Sequence, residues 1–167
     1  MKGKVSVLLL VGLILIFSLA QGYEEKTKVD LKKVADNVMK TVNSGDAAAI
    51  ARLYTEDAIM IMPGEPEPIQ GRKAIEENQA AFFRAMPDFK VEFTLILISG
   101  NHIVFEGISR GTHTGPLASP EGEIPPTGSS VEIKFVFIAK VTQEGLIEED
   151  RTYFDTAEYM RQLGLQK

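Results

Sequence analysis

Val131-Glu132-Ile133-Lys134-Phe135-Val136-Phe137-Ile138-Ala139-Lys140-Val141 alternates along its length. Val131, Ile133, Phe135, Phe137, Ala139 and Val141 fall on one side of an extended chain, and Glu132, Lys134 and Lys140 fall on the other. A period of two marks a strand with one buried face. Downstream, Gln143-Glu144-Gly145 supplies a hairpin turn, and Leu146 to Phe154 reads as the last long strand. Upstream, His102 to Thr114 reads as another strand, and Val91, Phe93, Leu95 and Leu97 are expected on one face of a further one.

Before Pro87 the period changes to three and four. Val29 to Asn43 carries apolar residues at Leu31, Val34, Ala35, Val38 and Val42, the stripe of an amphipathic helix. Gly45 can take the left-handed conformation that ends it, and Asp46 can cap a second helix, Ala47 to Tyr54. Thr55-Glu56-Asp57 reads as a turn and Ala58 to Met62 as a short buried strand. Pro63 to Pro68 carries too many prolines for regular structure. Gly71 precedes a third helix, Arg72 to Met86, and a short helix, Thr156 to Leu163, closes the chain at Gly164. Helices first and antiparallel strands afterwards define an α+β fold. A curved sheet wrapped on such helices encloses a conical hollow, a natural place for a small ligand.

Residues 1–20 are expected to stand apart from this domain. Lys2 and Lys4, the apolar run Val5 to Phe17, and Ser18-Leu19-Ala20 have the order of a secretory signal peptide cleaved after Ala20. The run is shorter than the roughly 20 residues that span a bilayer, so no stable membrane anchor is expected after cleavage. The mature product is expected to be secreted or extracytoplasmic, with residues 21–28 a polar linker and 29–167 one domain. The chain has no cysteine, which excludes disulfides and thiolate chemistry. Its formal charge of −5 without a basic cluster excludes a nucleic-acid binder, whose phosphates require concentrated Lys and Arg. His102 and His113, the only two histidines, have no carboxylates at matching spacing, so neither a metal site nor a cofactor is expected.

The order helix, Gly45-Asp46, helix, Leu53-Tyr54-Thr55-Glu56-Asp57-Ala58, then Gly71-Arg72-Lys73-Ala74-Ile75, resembles the nuclear-transport-factor-2-like (NTF2-like) superfamily, which includes ketosteroid isomerases. The second half resembles its SnoaL-like polyketide cyclase branch. The residues that carry this are Arg110-Gly111-Thr112-His113-Thr114-Gly115, Pro125-Pro126-Thr127-Gly128, and Tyr153-Phe154-Asp155 with Arg161-Gln162-Leu163-Gly164. The resemblance implies an α+β cone with a deep pocket, often dimeric through the outer face of the sheet, and so a homodimer here.

Three chemistries of that superfamily can be held against the residues. An isomerase base would stand on the short strand Ala58-Ile59-Met60-Ile61-Met62, which has no carboxylate. The Asp–Arg–Asp set of limonene-epoxide-hydrolase-like members keeps its arginine as Arg110, but its aspartates fall on Thr112 and Thr152, and its Tyr and Asn on Ile59 and Ile61. Threonine does not deprotonate water at neutral pH. A SnoaL-type cyclase needs an acid/base carboxylate on the last strand, and Asp150 offers one; the histidine common on the preceding strand is replaced by Phe135 to Ile138. The resemblance therefore implies a small apolar organic ligand, Asp150 as acid/base, and Arg110 or His113 orienting a carbonyl. Tyr54, Met62, Thr112, Phe137 and Thr152 are the expected ligand-binding positions. The competing expectation is a non-catalytic ligand-binding or dimer-forming module on the same cone. Asp155 is expected to cap the last helix.

Overall fold

The computed structural model describes residues 29–119 and 122–165. The expected signal peptide and polar linker lie outside the described residues. Four helices form among the described residues: α1 Leu31–Val42, α2 Ala47–Ala51, α3 Arg72–Ala85 and α4 Thr156–Gln162. Carboxylates start three of them. Asp30 accepts from Lys32 and Lys33 amides at 3.1 and 3.3 Å, Asp46 from Ala49 at 2.9 Å, and Asp155 from Glu158 at 3.0 Å. Gly45, at φ 73°, turns the chain between α1 and α2.

Six strands form the main sheet: β1 Tyr54–Ile61, β2 Ile69–Gln70, β3 Lys90–Ser99, β4 His102–Thr112, β7 Ser130–Val141 and β8 Ile147–Phe154, in the order β2-β1-β8-β7-β4-β3. A small ribbon, β5 Leu117–Ser119 with β6 Gly122–Ile124, stands apart from it. One pair in the sheet is parallel: β1 runs in the same direction as β8, pairing Met60 with Asp150. The second helix also stops earlier than expected. The Ile147 amide donates to the Leu53 carbonyl at 2.8 Å, which draws the chain into the sheet. Tyr54 therefore opens β1 rather than ending a helix, and Thr55-Glu56-Asp57 is strand rather than turn.

A second correction concerns β3. Its register with β4 slips between Phe93 and Leu95, a bulge that exchanges the two faces of the strand. Val91 and Phe93 face inward as expected, but Leu95 and Leu97 turn outward and are 44% and 54% exposed, while Ile96 packs on the core.

Two side chains complete the sheet where strands run out. Asn43, at the end of α1, brackets Val91 on edge strand β3, accepting from its amide at 2.8 Å and donating to its carbonyl at 2.9 Å. Gln162 does the same for Glu132 of β7, at 2.7 and 3.0 Å, just beyond the last β7–β8 pair. Leu163 is then buried with Ala85, Met86, Val131 and Ile133 in a core cluster separate from the larger one around Tyr54, Met60, Phe105 and Ile147.

Gly115 carries a distinct constraint. It and Thr114 both donate to the Ala85 carbonyl at the end of α3, at 3.1 and 3.0 Å. A Cβ at Gly115 would stand 2.0 Å from the Arg84 carbonyl oxygen, a contact that only a backbone shift relieves. Gly115→Ala is therefore expected to cost about 3 kcal/mol of stability by overpacking, measured by denaturant unfolding. Unchanged stability contradicts this packing.

Candidate functional site

Inward-facing residues form cross-strand rows. One row runs Gly107–Phe135–Phe154, the next Phe105–Phe137–Thr152, and the deepest Ile103–Ala139–Asp150–Met60. In that last row Ile103, Ala139 and Met60 are all buried, and Asp150 is only 2% exposed. Phe105 and Phe137 stack with ring centroids 5.2 Å apart, and Phe93 leans on Phe105 at 5.6 Å. Met62, Phe83, Phe93, Phe137, Thr152 and Phe154 are half-buried, in a band between the two core clusters. The row of Asp150 is thus the most deeply buried of the three.

Asp150 meets one polar partner there. The Tyr54 hydroxyl, on a residue 4% exposed, donates to Asp150 Oδ2 at 2.6 Å. Asp150 Oδ1 is buried and has no hydrogen-bond partner among the described residues. Burial pushes the Asp150 carboxyl up to about 7, with the Tyr54 hydrogen bond pulling the other way. Burial and the neighbouring carboxylate drive the Tyr54 phenol well above its ordinary range, so it stays protonated as a donor. A carboxyl poised near neutrality is suited to accepting and returning a proton at physiological pH.

The other expected site residues are distributed unevenly around this pair. Phe137 and Thr152, which face each other across β7 and β8, share the inner face with Asp150, and Met62 follows β1 at the same band. Arg110, expected beside Asp150, is on the opposite face of the sheet. It is pinned between two carboxylates, Glu132 at 2.7 Å and Glu92 at 2.9 Å. Strand alternation dictates this, since Arg110 and Thr112 have opposite parity to Ile103 and Phe105. Thr112, expected in the pocket, instead binds Asp88 through its amide and its hydroxyl, both at 2.7 Å.

His113 is fully buried, ten positions along from Ile103, so it sits at the far end of the cone from Asp150. Its Nδ1 accepts from the Thr127 amide at 3.3 Å and contacts the Thr127 hydroxyl at 3.1 Å; its own backbone pairs with Gly128 and Ser129. Desolvation lowers its pKa, the Gly115 backbone opposing. His102 is exposed at the start of β4.

The Tyr54–Asp150 contact was not legible locally. Its partners lie 96 residues apart, joined only by the parallel β1–β8 pairing. A depression of about 290 Å³ between α1 and the β7–β8 turn, lined by Val29, Lys33, Val34, Leu53 and Gly145, includes neither residue. Among the described residues, no group of three or more His, Asp or Glu is arranged to hold a metal ion, and no helix is long and apolar enough to cross a membrane.

A curved sheet closed by helices around a band of aromatic side chains is the cone of the NTF2-like α+β proteins. Within that class, the model of the SnoaL-like polyketide cyclase family matches residues 32–163, and the chain belongs to this family. Solved structures carry the same fold. A SnoaL-like protein from Jannaschia sp. CCS1 superposes with a TM-score of 0.68 at 18% identity, covering 81% of this chain and 94% of its own. IdmH from Streptomyces antibioticus gives 0.65 at 23%, covering 81% and 99%. TsrD from Streptomyces laurentii gives 0.67 at 17%, covering 81% and 96%. No curated protein matches the chain.

The buried carboxyl has a measurable signature in folding. Its folded pKa of about 7 lies above the unfolded value near 3.9, so the folded state holds the proton more tightly between those limits. Its contribution to stability is complete below the unfolded value and is lost as pH rises through 7. His113, with a lowered pKa, has the opposite sign: its contribution is present above its unfolded value near 6.5 and is lost as pH falls. The difference between wild type and Asp150→Asn isolates the carboxyl. The Asn variant is expected to gain on wild type by a few kcal/mol between pH 5 and pH 8, read from urea unfolding at each pH. Parallel pH profiles contradict the assignment.

Proposed function

We propose that this chain binds a small, mostly apolar organic ligand inside the cone and catalyses a cyclase- or isomerase-type acid/base reaction on it. The observation that carries this reading is the carboxyl of Asp150, buried in the deepest row of an aromatic interior with one oxygen on Tyr54 and the other free. Ionised Asp150 takes a proton from the carbon next to a ligand carbonyl through Oδ1, and the electron pair of that C–H bond moves into an enolate. In a ring closure the enolate carbon bonds to a second carbonyl carbon of the same molecule. The proton held on Asp150 then passes to the resulting alkoxide, so the product is an isomer of the substrate. Tyr54 stabilises the carboxylate before it takes the proton and again once it has returned it. Thr152, one row away on the same face, is the hydroxyl placed to orient a carbonyl. Arg110 and Thr112, engaged on the outer face, take no part, and His113 supports the loop around Thr127.

Two further readings accompany this one. The amino-terminal twenty residues direct export, and the protein acts outside the cytoplasm. The outer sheet face, with Leu95, Leu97 and Tyr153 at 44%, 54% and 51% exposure, is the surface of a homodimer.

The catalytic reading is tested by deuterium uptake next to the carbonyl of an aryl ketone in D2O. Wild type is expected to accelerate uptake with a midpoint near pH 7, and Asp150→Asn to lose about 100-fold or more. Ketone binding without accelerated uptake instead identifies a non-catalytic binding module. The dimer is tested by sedimentation: wild type is expected at twice the monomer mass and Leu97→Glu at the monomer mass, whereas a monomeric wild type contradicts it.

A further inference from the structure

Tyr54 sits where β1 is irregular. The strand pairs Tyr54 with Ile147 of β8 and then slips register before Ile59 meets Glu149. Two consecutive residues at the start of α3 take carbonyls on both sides of this slip. The Gly71 amide donates to the Ala58 carbonyl at 2.8 Å. Arg72 donates twice to the Tyr54 carbonyl, from Nε at 2.9 Å and Nη2 at 2.6 Å, and its Nη1 pairs with Glu56. Gly71 reaches this position at φ 89°, with the Glu56 carbonyl 3.4 Å from where a Cβ would stand. Glu56 is 82% exposed, so the ion pair itself contributes little. The paired donation to a backbone carbonyl is different: a planar guanidinium fixes both distance and direction of the atom it grips.

We propose that Arg72 is the positioning residue of the Tyr54–Asp150 pair. By holding the Tyr54 backbone at the slip in β1, it keeps the phenol hydroxyl on Asp150 Oδ2 and so leaves Oδ1 as the oxygen offered to the interior. A loosened Tyr54 would swing between the two oxygens or leave the carboxyl altogether. Lysine cannot replace this hold, since it supplies a point charge without the fork. This inference rests on the reading of Asp150 as the acid/base group, and the experiment separates the two.

The carboxyl carbon of Asp150 is followed by NMR titration in the ligand-free protein. Wild type is expected to titrate near 7. Tyr54→Phe removes a hydrogen bond to the charged form and raises the midpoint by about 1 pH unit. Arg72→Gln and Arg72→Lys are each expected to raise it by about half of that or more, while Glu56→Gln, which spares the Tyr54 carbonyl, leaves it unchanged. In a Tyr54→Phe background, Arg72→Lys is expected to add no further shift. An unshifted midpoint in Arg72→Lys, with the fold intact by its amide spectrum, overturns the proposal. So does a shift that persists in the Tyr54→Phe background, because the guanidinium would then act on Asp150 without Tyr54. A wild-type midpoint in the ordinary carboxylate range instead removes the reading of Asp150 on which the inference stands.

Discussion

The hydrogen bond from Tyr54 to Asp150, 2.6 Å long, is the one side-chain hydrogen bond that Asp150 makes among the described residues. A buried carboxyl is expensive, because removal from water penalises its charged form by far more than a single hydrogen bond returns. The fold meets that cost by leaving the group near the balance between its two protonation states. The surrounding architecture is arranged around this compromise. Parallel pairing of β1 with β8 sets Met60 beside Asp150, antiparallel pairing with β7 sets Ala139 on its other side, and stacked Phe105 and Phe137 stand one row above. None of these neighbours supplies a charge, so the proton affinity of Asp150 answers chiefly to burial and to Tyr54.

The residues that carry the family likeness do other work. Arg110 bridges Glu92 and Glu132 across three strands on the outer face. Gly115 lets the chain beyond β4 pass against the end of α3, and Thr127 and Gly128 fasten a loop to His113. Asp155 caps α4, whose Gln162 extends the pairing of β7 past the end of β8. These are places where the chain must turn, close or be capped, so their residue types are narrowly constrained. They report the cone, while the proposed chemistry depends on residues that the cone brings together from elsewhere.

This explains what was readable in the sequence. Alternation from Val131 to Val141 and the helical stripe from Leu31 to Val42 follow from burying one face, and both elements form where those patterns lie. The bulge in β3 escaped the pattern because one extra residue, Thr94, reverses the facing of Leu95 and Leu97 with no local mark. The cap at Asp46 predicts a helix that runs to Tyr54, whereas a bond from the Ile147 amide to the Leu53 carbonyl pulls the chain into the sheet. The family resemblance singles out Asp150 as acid/base, but nothing in the sequence pairs it with Tyr54. The contact with Tyr54 depends on a parallel strand pairing 96 residues away, and the Arg72 grip on Tyr54 depends on a register slip within it. Arg72 itself stands out in the sequence only as part of a helix start and of the Gly71 to Ile75 stretch that carries the family likeness.

The measurement that tests this account most directly is a structure of the protein with a bound aryl ketone. The ketone is predicted to lie in the band between Phe137, Thr152 and α3, with the carbon next to its carbonyl facing Asp150 Oδ1. A ketone lodged instead in the depression between α1 and the β7–β8 turn, or on the outer face of the sheet, with Asp150 untouched, would contradict it.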